Sequence, residues 1–259
     1  MCQDVLNFNA AIFDMDGVIT RTAAVHSLAW KKMFDEYLRY RERKYNESFR
    51  EFTHAGDYRA YVDGRPRYQG VKAFLKSRRI DIPIGETNDD SRQETVCGLG
   101  NRKNEYFNHL IKEEGVSVYE STMGLIRELL AVRIKVGVAT SSKNCALILK
   151  QAGIANLFET CVDGVISTRL GLRGKPEPDI FTQASNNLRV ECYRTIVVED
   201  AVSGVEAGVR GKFGLVIGVA RENNAAELEA HGADVVVEDL AELTVERINQ
   251  LVRQKQSLR

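Results

Sequence analysis

The chain has 259 residues, 44% of them hydrophobic and 28% charged, which suits one sizeable α/β domain or a core carrying a smaller insertion. Lys+Arg and Asp+Glu both number 36, so no global field draws the protein to nucleic acid or a membrane surface, and any anion site must be built locally. Five scattered cysteines (Cys2, Cys97, Cys145, Cys161, Cys192) form no CxxC pair, and no leader segment or run of about 18 apolar residues is found; the expectation is a cytoplasmic monomer without zinc, disulfides or a membrane span.

Residues 10–13 (AAIF) are a short apolar run ending at an acidic, Gly-containing turn, which predicts a buried strand. Across residues 22–43, Val25, Leu28, Ala29, Met33 and Leu38 recur at near-helical spacing. The stretch that follows is more polar and richer in aromatics, and residues 85–94 (GETNDDSRQE) predict a surface loop. Beyond Val118, strands are predicted over 134–139, 161–166, 195–198, 214–217 and 234–237. Helices are predicted between them, over 122–131, 143–152, 179–187, 202–209 and 225–231. This alternation argues for a parallel sheet with helices on both faces. The long gap after the first strand predicts an inserted helical cap over residues 22–117, leaving 1–21 and 118–259 as the core. Such sheets bind ligands at the carboxyl ends of their strands.

Chemistry-bearing residues fall at those ends. Asp14 and Asp16 follow the first strand; the pair could serve a turn or a calcium loop, or could share a phosphoryl-transfer site. A carboxylate attacking phosphorus needs a metal to offset charge repulsion, and a second carboxyl group to move the proton. Glu199 and Asp200 end another strand, where acids suit Mg²⁺ or cap the next helix. Thr140, Ser141 and Ser142 end the 134–139 strand and either cradle phosphate or cap a helix. Lys175, held in Lys-Pro-Glu-Pro, either neutralises an anion or lies in solvent.

Taken in order, these four motifs resemble those of the haloacid dehalogenase superfamily, over nearly the whole chain. The resemblance implies a Rossmann-like α/β core with an α-helical cap. It implies Asp14 as the nucleophile, Asp16 as general acid/base, Thr140 as the phosphate-binding hydroxyl and Lys175 as the charge-stabilising lysine. It further implies Mg²⁺ held by Asp14, the Asp16 carbonyl, Glu199 and Asp200. Residues 13–20 with Thr22, Ala23, His26 and Trp30, and the run Thr140-Ser141-Ser142-Lys143-Asn144, resemble the β-phosphoglucomutase-like subfamily. Ser142, Lys143 and Asn144 with a cap arginine would then hold a distal phosphate, unless Lys143 and Asn144 merely occupy an exposed first helical turn. Arg67 is the candidate arginine, with Arg65 its competitor. Lys103 and His26 would contact the substrate, unless His26 is structural. The implied partner is a small phosphorylated sugar. The implied activity is isomerisation of β-glucose 1-phosphate to glucose 6-phosphate, with a sugar-phosphate phosphatase or a catalytically silent binding domain as alternatives. Two departures stand out. Arg21 occupies a position usually acidic in these mutases, and residues 57–67 resemble caps of proteins associated with disaccharide phosphorylases.

Overall fold

The computed structural model describes residues 6–221 and 223–257, without the Glu114 side chain; Cys2 lies outside the described residues. The chain divides into two compact units, Met1–Arg21 with Ser117–Arg259, and Thr22–Val116.

The first unit holds a parallel sheet of β1 (Ala10–Phe13), β2 (Lys135–Ala139), β3 (Thr160–Val162), β4 (Thr195–Glu199), β5 (Leu215–Val219) and β6 (Val235–Val237). Their order is β3-β2-β1-β4-β5-β6. Every residue of β1, β4 and β5 is buried, as a parallel sheet covered on both faces requires. Strand order reverses between β1 and β4, and the crevice beyond the carboxyl ends at such a reversal is where open α/β sheets place ligands. Phe13 pairs with Val198, so Asp14 and Glu199 leave the sheet side by side.

In chain order the second unit contributes α1 (Ala23–Tyr45), a π-helical stretch (His54–Val62), α2 (Arg67–Ser77) and α3 (Val96–Glu114). The first unit contributes α4 (Glu120–Ala131), α5 (Cys145–Gln151), α6 (Gly164–Leu170), α7 (Asp179–Leu188), α8 (Val202–Arg210), α9 (Ala225–Ala230) and α10 (Val245–Ser257). Under the sheet, Ile12, Val197 and Val216 pack with Phe181, Leu188, Val205 and Phe213. The second unit has its own aromatic core of Trp30, Phe34, Tyr37, Phe52 and Phe74. Residues 85–94 form a loop, as predicted.

Two differences from the sequence expectation have local causes. The predicted strand over 161–166 ends at Val162, because Asp163 caps α6 by accepting from the Val165 and Ile166 N–H groups at 3.0 and 2.9 Å. Helix α10 carries no sequence expectation because its apolar stripe is thin, with Ile248 and Val252 buried beside Asn249. No described helix is long and apolar enough to cross a membrane. Cys97, Cys145, Cys161 and Cys192 are free thiols.

Candidate active site

Asp14 continues the line of β1, its N–H donating to the Val198 carbonyl at 2.9 Å. Its carboxyl group is buried and accepts from the Lys175 ammonium at 2.5 Å. The same ammonium donates to Glu199, at the end of β4. Glu199 is 1% exposed, and its other oxygen accepts from the N–H groups of Asp200 and Ala201 at 2.9 and 3.0 Å. Those donors open the turn into α8, where unpaired N–H groups await a partner. Space for the Glu199 carboxylate exists because residue 204 is glycine: a Cβ there would lie 1.8 Å from Glu199 Oε1. A glycine inside the otherwise helical AVSGVEAGV segment was the available sequence signal for this packing, and it was missed.

After Asp14 the chain turns back tightly. Gly17 N–H donates to the Thr20 carbonyl at 2.8 Å, and the Thr20 hydroxyl donates to Met15 O at 3.1 Å. Thr122 Oγ1 donates to Val18 O at 2.7 Å, fixing the turn to α4. Gly17 has φ of 89°, and a Cβ on it would lie 1.8 Å from Asp200 Oδ2. Only glycine meets both the left-handed backbone and the close approach of Asp200. The turn thus brings Asp16 near Asp14, and Asp200 against Gly17.

Beyond β2, buried Thr140 accepts the Ser142 N–H at 3.1 Å, and Ser142 Oγ accepts the Asn144 N–H at 3.2 Å. Accepting from the backbone leaves each hydroxyl proton available to donate elsewhere. Gly164 N–H donates to Ser142 O at 2.8 Å, so the loop carrying Ser142, Lys143 and Asn144 is braced from the start of α6. Helix α5 starts at Cys145, two residues later than predicted, which leaves Lys143 and Asn144 in this loop.

The electrostatics follow from crowding. Burial pushes the Asp14 carboxyl up to about 8; Lys175 opposes the rise, while Glu199 and Asp16 add to it. Burial works against the Lys175 charge, but Asp14 and Glu199 outweigh it and hold the ammonium above its ordinary value. Asp14 and Glu199 thus share one buried cation, with Asp16 near Asp14 and Asp200 against Gly17, an excess of negative charge carried on hard oxygen donors. That donor set suits Mg²⁺, which needs one or two carboxylates and keeps several waters. Among the described residues no group of three His, Cys, Asp or Glu is disposed to hold a metal by itself. The sequence expectation made Glu199 a metal ligand. In the structure its oxygens meet Lys175 and the backbone N–H groups of Asp200 and Ala201.

The other expected residues belong to the second unit. Arg67 opens α2 and donates to Asn104 Oδ1 at 2.7 Å, while Arg65 is exposed. Burial lowers the Arg67 pKa, and the Tyr68 phenol opposes that fall. Lys103 is 3% exposed; its ammonium lies 2.5 Å from His26 Nδ1 and within 5.1 and 4.8 Å of the Trp30 and Phe107 ring centres. His26 stacks on Phe107 with centroids 4.0 Å apart.

A parallel α/β sheet with an aspartate–lysine pair and further acids at its switch point defines a carboxylate-centred enzyme core. The model of the haloacid dehalogenase-like hydrolases matches residues 8–211. The chain is 44% identical to the β-phosphoglucomutase of Mycobacterium bovis over 237 residues, 90% of each protein. It is 30% identical to that of Bacillus subtilis over 242 residues, covering 93% of this chain and 94% of that one. The crystal structure of β-phosphoglucomutase from Clostridium difficile superimposes with a TM-score of 0.76 at 24% identity, over 97% of this chain and 100% of that one, and shares the fold. The chain belongs to the haloacid dehalogenase-like hydrolase family and is an enzyme of that family.

Proposed function

We propose that this enzyme transfers a phosphoryl group on a small sugar phosphate by way of an aspartyl-phosphate at Asp14, acting as a β-phosphoglucomutase. The observation that carries this is the buried Asp14 carboxyl held 2.5 Å from Lys175 at the carboxyl end of the central strand. Relatives named β-phosphoglucomutase, up to 44% identical, support the choice of substrate.

An Asp14 oxygen attacks phosphorus as the bond from phosphorus to the sugar oxygen breaks. Asp16 gives its proton to that departing oxygen. Asp16 then takes the proton of an acceptor hydroxyl as that oxygen attacks the aspartyl-phosphate, which restores the free Asp14 carboxylate. Lys175 balances charge at Asp14 throughout, and the Thr140 hydroxyl donates to a phosphoryl oxygen. Asp14, Asp200 and the Asp16 carbonyl would hold Mg²⁺, which when bound offsets the repulsion between carboxylate and phosphate. Ser142, Lys143 and Asn144 with Arg67 are assigned to the distal phosphate, and His26 and Lys103 to substrate contacts. A bisphosphate intermediate needs two anion sites, whereas hydrolysis needs one. For that reason water as the acceptor, giving a sugar-phosphate phosphatase, is the second reading; the family's own description as hydrolases favours it.

The test is the product balance from β-glucose 1-phosphate with Mg²⁺ and a bisphosphate primer. Glucose 6-phosphate in excess of free phosphate is expected, lost in Asp14→Asn. Arg67→Ala should depress isomerisation more than phosphate release. Release of phosphate alone by the wild type would replace the mutase reading with the phosphatase one, and full activity of Asp14→Asn would overturn both.

A further inference from the structure

The segment that follows β5 touches both acidic turns of the site, and neither of its two contacting residues carried any expectation from sequence. Arg221 is mostly buried, its side chain 13% exposed. Its Nε donates to the Gly17 carbonyl at 3.1 Å, and its Nη1 donates to the Glu238 carbonyl at 3.2 Å and to Asp239 at 3.1 Å. Its Cζ lies 3.7 Å from the centre of the Tyr119 ring. Tyr119 N–H in turn donates to Ile19 O at 2.9 Å. The Asp14–Thr20 turn is therefore gripped twice through one cation, at Gly17 directly and at Ile19 by way of Tyr119. Arg21, the position where basic replaces acidic, places its guanidinium over the same ring at 4.4 Å.

Asn224 reinforces the pattern. It stands at the N-cap of α9, where asparagine ordinarily bonds the first turn, yet makes no side-chain cap there. Its amide instead donates to the Asp200 carbonyl at 3.1 Å. Arg221 Nη2 is buried without a partner among the described residues, a cost the chain tolerates while its other nitrogens hold the turn.

Resting on the phosphoryl-transfer reading, we infer that Arg221 is a positioning residue: it fixes the Gly17 peptide, and with Asn224 holds the Asp14–Asp16 turn and Asp200 in mutual register. A rigid turn matters because small misplacement of an acid/base group costs large factors in rate. The test compares Arg221→Met, Arg221→Lys and Asn224→Ala with the wild type. Amide hydrogen exchange is measured without metal, and kcat and KM with β-glucose 1-phosphate. For Arg221→Met, exchange at Gly17, Ile19 and Thr20 should quicken about tenfold while β2 and β5 stay protected. Its kcat should fall about tenfold to a hundredfold, the range for one charged hydrogen bond, with KM changed less than about threefold. Arg221→Lys should recover part of both, and Asn224→Ala should give a smaller loss of kcat. Unchanged exchange in the turn would overturn the inference. So would exchange raised evenly across the sheet, which marks a purely structural role. If the wild type transfers no phosphoryl group, the enzymatic reading fails, and the exchange measurement alone decides whether Arg221 holds the turn.

Discussion

Replacing Lys175 with methionine removes the cation shared by Asp14 and Glu199. Both acids are buried, 6% and 1% exposed, so water cannot take over the lost ammonium. Breaking a buried charge pair by deleting one partner costs about 3–5 kcal/mol, since the remaining charge is stranded. At about 2–4 °C per kcal/mol for a domain of this size, the metal-free variant should melt roughly 6–20 °C lower. The pH dependence separates this account from a simple packing loss. Asp14 holds its proton more tightly folded, at about 8, than its ordinary value of 3.8. Its contribution is therefore fully present below the unfolded value and declines as pH rises through the folded one. Without Lys175 the folded value moves higher still, so the variant goes on losing stability above pH 8, where the wild type has stopped. Calorimetric melting in EDTA should show a larger penalty at pH 9 than at pH 6. A penalty that is equal at both, or smaller at pH 9, would refute the electrostatic assignment.

Gly204→Ala should behave against helix propensity. Alanine inside a helix ordinarily gains about 1 kcal/mol, but here its Cβ would meet Glu199 Oε1 at 1.8 Å. We expect a net loss of about 2–4 kcal/mol as the Glu199 contacts break, with activity falling alongside; a melting temperature at or above wild type would contradict the packing. Glu199→Gln and Asp200→Asn should differ in kind. The first should lower stability while Mg²⁺ still binds, and the second should abolish Mg²⁺ binding with little change in melting, both read by calorimetric titration. Mg²⁺ binding should also release a proton below pH 8, because the metal must displace it from Asp14. Affinity should climb nearly tenfold per pH unit up to about pH 8 and then level off, and titration in buffers of different ionisation enthalpy would expose a pH-independent affinity.

The sheet and the main motifs were legible for one physical reason: in a parallel sheet covered on both faces, each strand is a short apolar run, and each functional residue stands where that run stops. Asp14 after AAIF, Thr140 after the β2 run and Glu199 after TIVV announce themselves this way. The overlong strand predicted over 161–166 errs by the same logic. An apolar run continues past Asp163, and only the cap it forms on α6 shows that the chain has already turned into a helix. Arg67 with Asn104, Lys103 with His26, and Arg221 with Gly17 were invisible for another reason. Each pair is joined across 37, 77 or 204 residues, and no local period records such a contact.

Glu199 and Asp200 show how neighbours in sequence meet different partners at one strand end. Two adjacent acids at a strand end look like a pair of ligands for one ion. Here Glu199 turns to Lys175 and the start of α8, while Asp200 lies against Gly17. The two acids thus face different parts of the site. Glu199 fixes the cation that balances Asp14, and Asp200 stands beside the turn that carries Asp16. The two glycines that make room for them, Gly204 and Gly17, are therefore as much part of the site as the acids: a single methyl group at either would drive one carboxylate from its place.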